Sequence, residues 1–453
     1  MSGAAVQAAG AMAAAEQLLD EIHSRAGSAE AEATVATGTS ALTRFATSFI
    51  HQNVAEELSH VLVRVALDGR TATARLDGPT DREGLARLAD RVLEAARVRP
   101  VDPDWPGVAP VAAASPIDHW DEATAAADPD ARAAIVGAFV AAAGGLETAG
   151  ACSTEAIVAA YANTAGQRIT GRSTSATIDG IARTPRSDGS ARVTSVGIGD
   201  LEGAVAGKRA ARKARDGESA SDLEPGRYEV VLEPKAVADV LEFLFIYGLN
   251  GRAVEEGRSF VRTGEAQFDA SITLRDDATD PGTVGLAFDA EGTPKRPVDV
   301  IAGGVTSAVL HSRRTAAKAG TASTGHAVEG GDSWGALPTN VVLEAGAATD
   351  EELIRGVGRG LLVTDFWYTR ILDPRTQVVT GLTRNGVWLI EDGRVVRPVS
   401  NLRFTQSYIE ALGPGAVRAI GRERVLITGS FGGAFLVPSL HLASWTFTGG
   451  AKG

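Results

Sequence analysis

The run Glu242-Phe243-Leu244-Phe245-Ile246-Tyr247 holds the residues whose types and spacing come nearest to chemistry. It lies in Pro234 to Gly248, a stretch that reads as a helix with proline in its first turn, a position proline tolerates. A carboxylate on a buried helix among Leu241, Phe243, Leu244 and Phe245 has its pKa raised and can serve as a general base, which makes Glu242 a candidate. Glutamate is almost never fully buried unless paired, so Glu242 is expected to face solvent or a polar partner. The Tyr247 hydroxyl could reach a substrate carbonyl in a cleft, but core filling with a polar tip is the more usual role of such a residue.

Metal-ligating residue types are scattered. His441, in Ser439-Leu440-His441-Leu442, reads as a structural histidine in a strand, and His311 and His326 stand too far from other ligand types to make a motif. The single cysteine, Cys152, excludes an internal disulfide framework and any multi-cysteine zinc site built from this chain alone. Ala319 to Gly325 lacks the Gly-Lys-Ser/Thr ending and the strand-to-helix setting of a phosphate-binding loop. It reads instead as a mobile glycine-rich segment that contains Gly320 and Gly325.

The elements that must position these residues follow from periodicity. Met12 to Ser24 reads as a helix, and Ala31 to Val35, Ser40 to Phe49, His60 to Leu67 and Thr71 to Leu76 read as strands, with Asp68-Gly69 a hairpin signal between the last two. Helices are expected at Asp81 to Val98 and Pro129 to Ala143, and strands at Leu146 to Tyr161, Ser173 to Ile178 and Arg192 to Val196. A further helix, Asp200 to Arg215, carries Lys208, Arg209, Arg212, Lys213 and Arg215, expected to form a solvated face. Asp216 to Gly226 is polar, small and closed by Pro225-Gly226, so the domain boundary is placed there: residues 1–222 and 223–453. Beyond the helix at Pro234, short strands are split by glycine turns such as Asp289-Ala290-Glu291-Gly292 and Arg384-Asn385-Gly386. The fold class expected is α+β: an N-terminal mixed α/β domain, then a β-rich C-terminal domain of largely antiparallel sheet, with a cleft between them under the helix at Pro234 to Gly248.

Composition narrows the function classes. With 453 residues and 44% hydrophobic content the chain can bury a large core, and its net charge of −12 lacks the basic footprint that nucleic acid requires. No apolar stretch approaches the ~20 residues of a membrane span. Met1 to Ala15 has no basic n-region and is followed by Glu16, Asp20 and Glu21, which fits an amphipathic helix better than a signal peptide. A cytoplasmic protein is expected.

Several segments together resemble the TldD/PmbA family of metallopeptidases, whose members bear an older label as modulators of DNA gyrase. Ala41 to Asn53 is similar to the family's N-terminal strand pair, Asp68-Gly69-Arg70 to the turn after it, and Asp102 to Gly107 to a proline-rich crossing. Gly226 to Pro234 resembles the strand that leads into the metal-binding helix, and Phe288 to Pro294 a turn downstream of it. Gly386 to Gly393 and Val437 to Gly450 continue the likeness, which spans almost the whole chain.

The resemblance implies a His-Glu-x-x-x-His helix, whose Glu would activate a zinc-bound water, and a further cysteine ligand near the C-terminus. Aligned without a gap, the first His is Glu242, the Glu is Phe243 and the second His is Tyr247. Leu426 to Gly433, at the place of the C-terminal ligand, holds no cysteine. The expectation is therefore a degenerate member with no metal and no cofactor of its own. It would be a TldE/PmbA-like, non-catalytic subunit, with zinc carried by a TldD-like partner and a shared action on unfolded or extended peptides. The same resemblance puts Gly320 and Gly325 along the substrate cleft, with His441 as the imidazole nearest the lost ligand. Two alternatives stand beside it: a homodimeric peptide-binding or scaffold protein, and a repurposed hydrolase of a biosynthetic pathway using Glu242, Tyr247 or His441.

Overall fold

The computed structural model describes residues 3–331 and 333–450. The N-terminal half is built on one antiparallel sheet of six strands: β1 (Glu30–Ala46), β2 (Phe49–Leu67), β3 (Arg70–Asp77), β4 (Glu147–Asn163), β5 (Arg168–Arg183) and β6 (Asp188–Ser195), in the order β3-β2-β1-β4-β5-β6. The two runs expected at Ala31 to Val35 and Ser40 to Phe49 are one continuous strand that ends at Thr47-Ser48, both at positive φ. Small residues around Gly38 look like a break, but a Cβ at Gly38 would collide with the backbone of Ala156 on β4. The glycine is there because two strands approach closely, while the ladder runs through it on both sides.

Four helices cover one face of this sheet. α1 (Gly3–Arg25) and α2 (Arg82–Val98) place Leu18, Ile22, Leu85 and Val92 on Val35, Val61 and Val63. After the single turn α3 (Glu122–Ala125), α4 (Pro129–Ala142) and α5 (Gly203–Asp216) cover Phe45, Cys152 and Ile178 with Val136, Phe139, Ala210 and Ala214. Helix starts follow local chemistry: the Asp81 and Asp128 side chains accept from Gly84 N and Ala131 N, and Pro129 stands in the first turn.

The C-terminal half holds two sheets. β7 (Gly226–Leu232) leads into α6 (Pro234–Tyr247) and the short α7 (Gly251–Glu255). β8 (Leu274–Asp276), β9 (Val298–Ala302), β10 (Val305–Thr306), α8 (Arg313–Ala319), β11 (Asn340–Leu343) and α9 (Asp350–Arg355) follow. Next come β12 (Arg359–Asp373), β13 (Val378–Glu391), β14 (Arg394–Pro398), β15 (Leu402–Ser407) and α10 (Tyr408–Ala411). β16 (Val417–Ile420), β17 (Val425–Thr428), β18 (Ala434–Val437) and β19 (Leu440–Gly450) complete the order. One sheet runs β10-β9-β8-β11-β18-β17. In the other, β12-β7-β19-β15-β13 closes on itself because β12 also pairs with β13, and β14 and β16 attach outside the ring.

Pairing is antiparallel except for β11 with β18 and β7 with β12. α6 packs between the closed sheet and the β17–β18 hairpin, which explains its sequence: residues 236–246 are all buried, and a helix apolar nearly all round has no solvent face to serve. Among the described residues no helix is long and apolar enough to cross a membrane.

The basic helix is corrected in part. Lys208 and Arg212 are exposed, but three of the cations of α5 are engaged: Lys213 is buried against Glu233, Arg209 reaches the same carboxylate at 3.2 Å, and Arg215 donates to the Ala143 and Gly144 carbonyls. The sequence reading failed because the opposing Glu233 lies across the boundary between the two halves.

Candidate functional site

A cleft of about 630 Å³ opens between the two halves of the molecule, walled by β5 and β6 on one side and by α6, β12, β13 and the tip of the β17–β18 hairpin on the other. α6 enters it by its first turns. Glu233, at the N-cap position, makes no capping bond; its carboxylate turns to Lys213 and Arg209 instead. Burial alone would raise that carboxyl, but the two cations overcome it and hold Glu233 below its usual range, while burial lowers Lys213.

One turn further, Asp239 projects to the same wall. Its carboxylate accepts from the Thr369 hydroxyl at 3.1 Å, and burial, opposed by Lys235, pushes its pKa up to about 7. Asp365 on β12 is likewise raised by burial, with Lys235 Nζ at 3.6 Å as its ion-pair partner. Neither aspartate was singled out from the sequence. The available signal was a lone charge in the apolar run Ala236-Val237-Ala238-Asp239-Val240-Leu241, three residues before Glu242 and so on the same helix face.

Glu242 is 2% exposed. Its polar partner is backbone: Oε2 accepts from Ser430 N at 3.0 Å and Oε1 from Phe431 N at 2.8 Å, at the hairpin tip. The solvent-facing alternative is thereby corrected. Burial raises the carboxyl, and the two N–H donors offset part of the rise. Gly429 lets the tip wrap this closely, since a Cβ there would strike Glu242 Oε1. Phe243 packs its ring on Tyr247 at 5.5 Å and on Phe431 at 6.4 Å, and Tyr247 is half-buried in that stack.

These residues do not fit a zinc ion. A catalytic site needs three convergent nitrogen, sulfur or carboxylate donors. Here Phe243 offers none, Tyr247 stacks on it, and both oxygens of Glu242 already face positive N–H dipoles. Among the described residues no group of three His, Cys, Asp or Glu side chains could hold a metal.

The other residues read from the sequence do not join Glu242 at this wall. His441 Nε2 meets Glu229 Oε2 at 2.9 Å between β19 and β7, and does not line the cleft. Gly320, in the left-handed conformation, ends α8, and Gly325 packs near the Pro294 carbonyl; neither lines the cleft. His326 pairs with the buried Asp276 at 2.9 Å, a structural contact.

Aromatic side chains rim the opening. Trp367, Tyr368 and Phe431 are 51%, 66% and 54% exposed, the Arg384 guanidinium lies 4.6 Å over Trp367, and that of Arg370 lies 4.6 Å over Tyr368. The arrangement can hold an extended chain by ring faces and charge.

Comparison with known proteins supplies the family. Residues 225–449 match the family model described as the PmbA/TldA metallopeptidase C-terminal domain. The structure superposes on TldE from Thermococcus kodakarensis with a TM-score of 0.87 at 18% identity, covering 96% of this chain and all of that one. A Thermotoga maritima protein that carries the gyrase-modulator label superposes with a TM-score of 0.82, also at 18% identity, over 96% of this chain and all of that one. At such identity these two matches establish a shared fold alone. A metalloprotease of Methanothermobacter thermautotrophicus is 27% identical over 219 residues, 46% of this chain and 46% of that protein. The chain thus spans less than half the length of the curated relatives it matches. With its α+β fold shared over nearly its full length, this chain carries in its C-terminal half a domain of the PmbA/TldD metallopeptidase family.

Proposed function

We propose that this chain is the non-catalytic, TldE-like subunit of a cytoplasmic two-chain zinc metallopeptidase. Its partner is a TldD-like chain bearing an intact His-Glu-x-x-x-His helix, and the pair acts on unfolded or extended peptides. In this reading the present chain contributes no ligand and no base; it shapes the substrate channel through its interdomain cleft and stabilises the partner. The observation that carries the reading is the fate of Glu242. At the position aligned with the first histidine, a carboxylate ties α6 to the 430–431 backbone by two hydrogen bonds. A protein–protein link thus joins the segments that a shared metal would join in a catalytic relative.

The test is reconstitution. Purified alone, the chain should hydrolyse no peptide; mixed with a TldD-like partner it should form a one-to-one complex on gel filtration and raise the partner's peptidase activity. Peptidase activity in the isolated chain, or a stable homodimer that ignores the partner, contradicts the reading.

One observation favours a second reading, a metal-independent hydrolase. Asp239 stands at the cleft wall with its pKa near neutrality, where a general base works best. Activity of the isolated chain that disappears in Asp239→Asn would select it.

A further inference from the structure

The rim of the cleft shows a break in β-sheet regularity. Pairing of β12 with β13 slips between Trp367 and Arg370, and Tyr368 sits at φ 56°, a strained conformation for an aromatic residue. Consecutive residues of a regular strand face opposite sides. The bulge instead exposes Trp367 and Tyr368 together, and turns Thr369 inward onto Asp239. Each exposed ring carries a guanidinium on its face.

Charge distinguishes these two arginines from their neighbours. The five other basic side chains around the cleft each contact a carboxylate, as Arg192 does Asp179 and Lys235 does Asp365. Among the described residues Arg370 and Arg384 form no ion pair; Arg370 donates to the Thr369 carbonyl and Arg384 only stacks. A guanidinium has five N–H donors, so one lying over a ring face, even with a single N–H given to a carbonyl, still has donors to offer a carboxylate. On a chain of net charge −12, a rim with two unneutralised cations is a local inversion of sign.

We propose that the cleft selects extended peptide segments carrying aspartate or glutamate, with Arg370 and Arg384 as the specificity-determining residues and the Trp367 and Tyr368 rings as their platforms. The proposal rests on the reading above that this cleft receives peptide. Arginines on aromatic faces also suit single-stranded nucleic acid, but that ligand needs a basic groove that tracks a phosphate backbone, and the remaining cations here are neutralised.

Fluorescence anisotropy on the full chain tests it, using a short flexible peptide with two aspartates, its counterpart with asparagines, and a single-stranded oligonucleotide. The aspartate peptide should bind about threefold to tenfold tighter than the asparagine peptide, a ratio expected of two partly exposed charge pairs and one that shrinks with added salt. The ratio should fall to near unity in Arg370→Gln/Arg384→Gln, whose circular dichroism should match the wild type, and fall only in part in Arg384→Lys, which keeps the charge but loses the planar fork. Equal binding of the two peptides, a ratio unchanged in the double glutamine variant, tighter binding of the oligonucleotide, or no binding of either peptide overturns the proposal. None of these outcomes decides subunit pairing, which the reconstitution tests separately.

Discussion

In the proposed reading Glu242 keeps the position of a metal ligand and does different work. A carboxylate accepting two backbone N–H bonds in a buried setting is tied to the hairpin tip, and removing either acceptor strands a donor. Glu242→Gln should therefore lower stability by about 1–3 kcal/mol, measured by denaturant titration, because the amide turns an N–H₂ toward a donor. An unchanged midpoint would mean the clamp is not formed. Asp239 gives a pH signature. Its folded pKa, about 7, lies above the ordinary 3.8, so the native state retains a proton that the unfolded chain has released. Its contribution to stability is fully present below 3.8 and is lost as pH rises toward about 7. Asp239→Asn should flatten that slope, giving a larger gain in melting temperature at pH 8 than at pH 5; an equal gain at both would contradict the assignment. Glu242 was legible in the sequence as a departure from a motif, whereas its acceptors were not. They are main-chain atoms of a segment almost 190 residues away, and no side-chain pattern announces them.

At the scale of elements, α5 and α6 are joined by Lys213, Arg209 and Glu233 across the two halves of the chain. Leaving one buried charge without its partner typically costs ~3–5 kcal/mol, while replacing both with apolar residues recovers much of the loss. Lys213→Met should accordingly destabilise strongly, and Lys213→Met/Glu233→Leu should regain part of that stability in the same denaturation assay. If the double variant is as damaged as the sum of the singles, the pair is not coupled as described. Helix positions were the most readable elements, since Asp81, Asp128, Pro129 and Pro234 mark starts by local hydrogen bonding and backbone geometry. Strand continuity was less so. Gly38 reads as punctuation within a local window, but its meaning depends on β4, more than a hundred residues away. Closure of the C-terminal sheet was invisible for the same reason: it rests on pairs such as Gly360 with Glu229 and Arg359 with Glu391.

For the molecule as a whole, the two sheet systems meet at a cleft with α6 in its wall, the helix that the proposed reading aligns with a ligand-bearing one. The order of segments along the chain was enough to suggest the family from sequence, but the cleft's chemistry was not. Asp239, Asp365 and the aromatic rim come together only when β5, β6, α6 and the β12–β13 bulge are assembled. The central claim is that this wall has exchanged a metal for internal hydrogen bonds. Its most direct test is zinc stoichiometry on the isolated full chain, by elemental analysis after saturation and dialysis, with Glu242→Gln in parallel. The account predicts no retained zinc in either protein. One zinc per chain in the wild type, lost in Glu242→Gln, would contradict it.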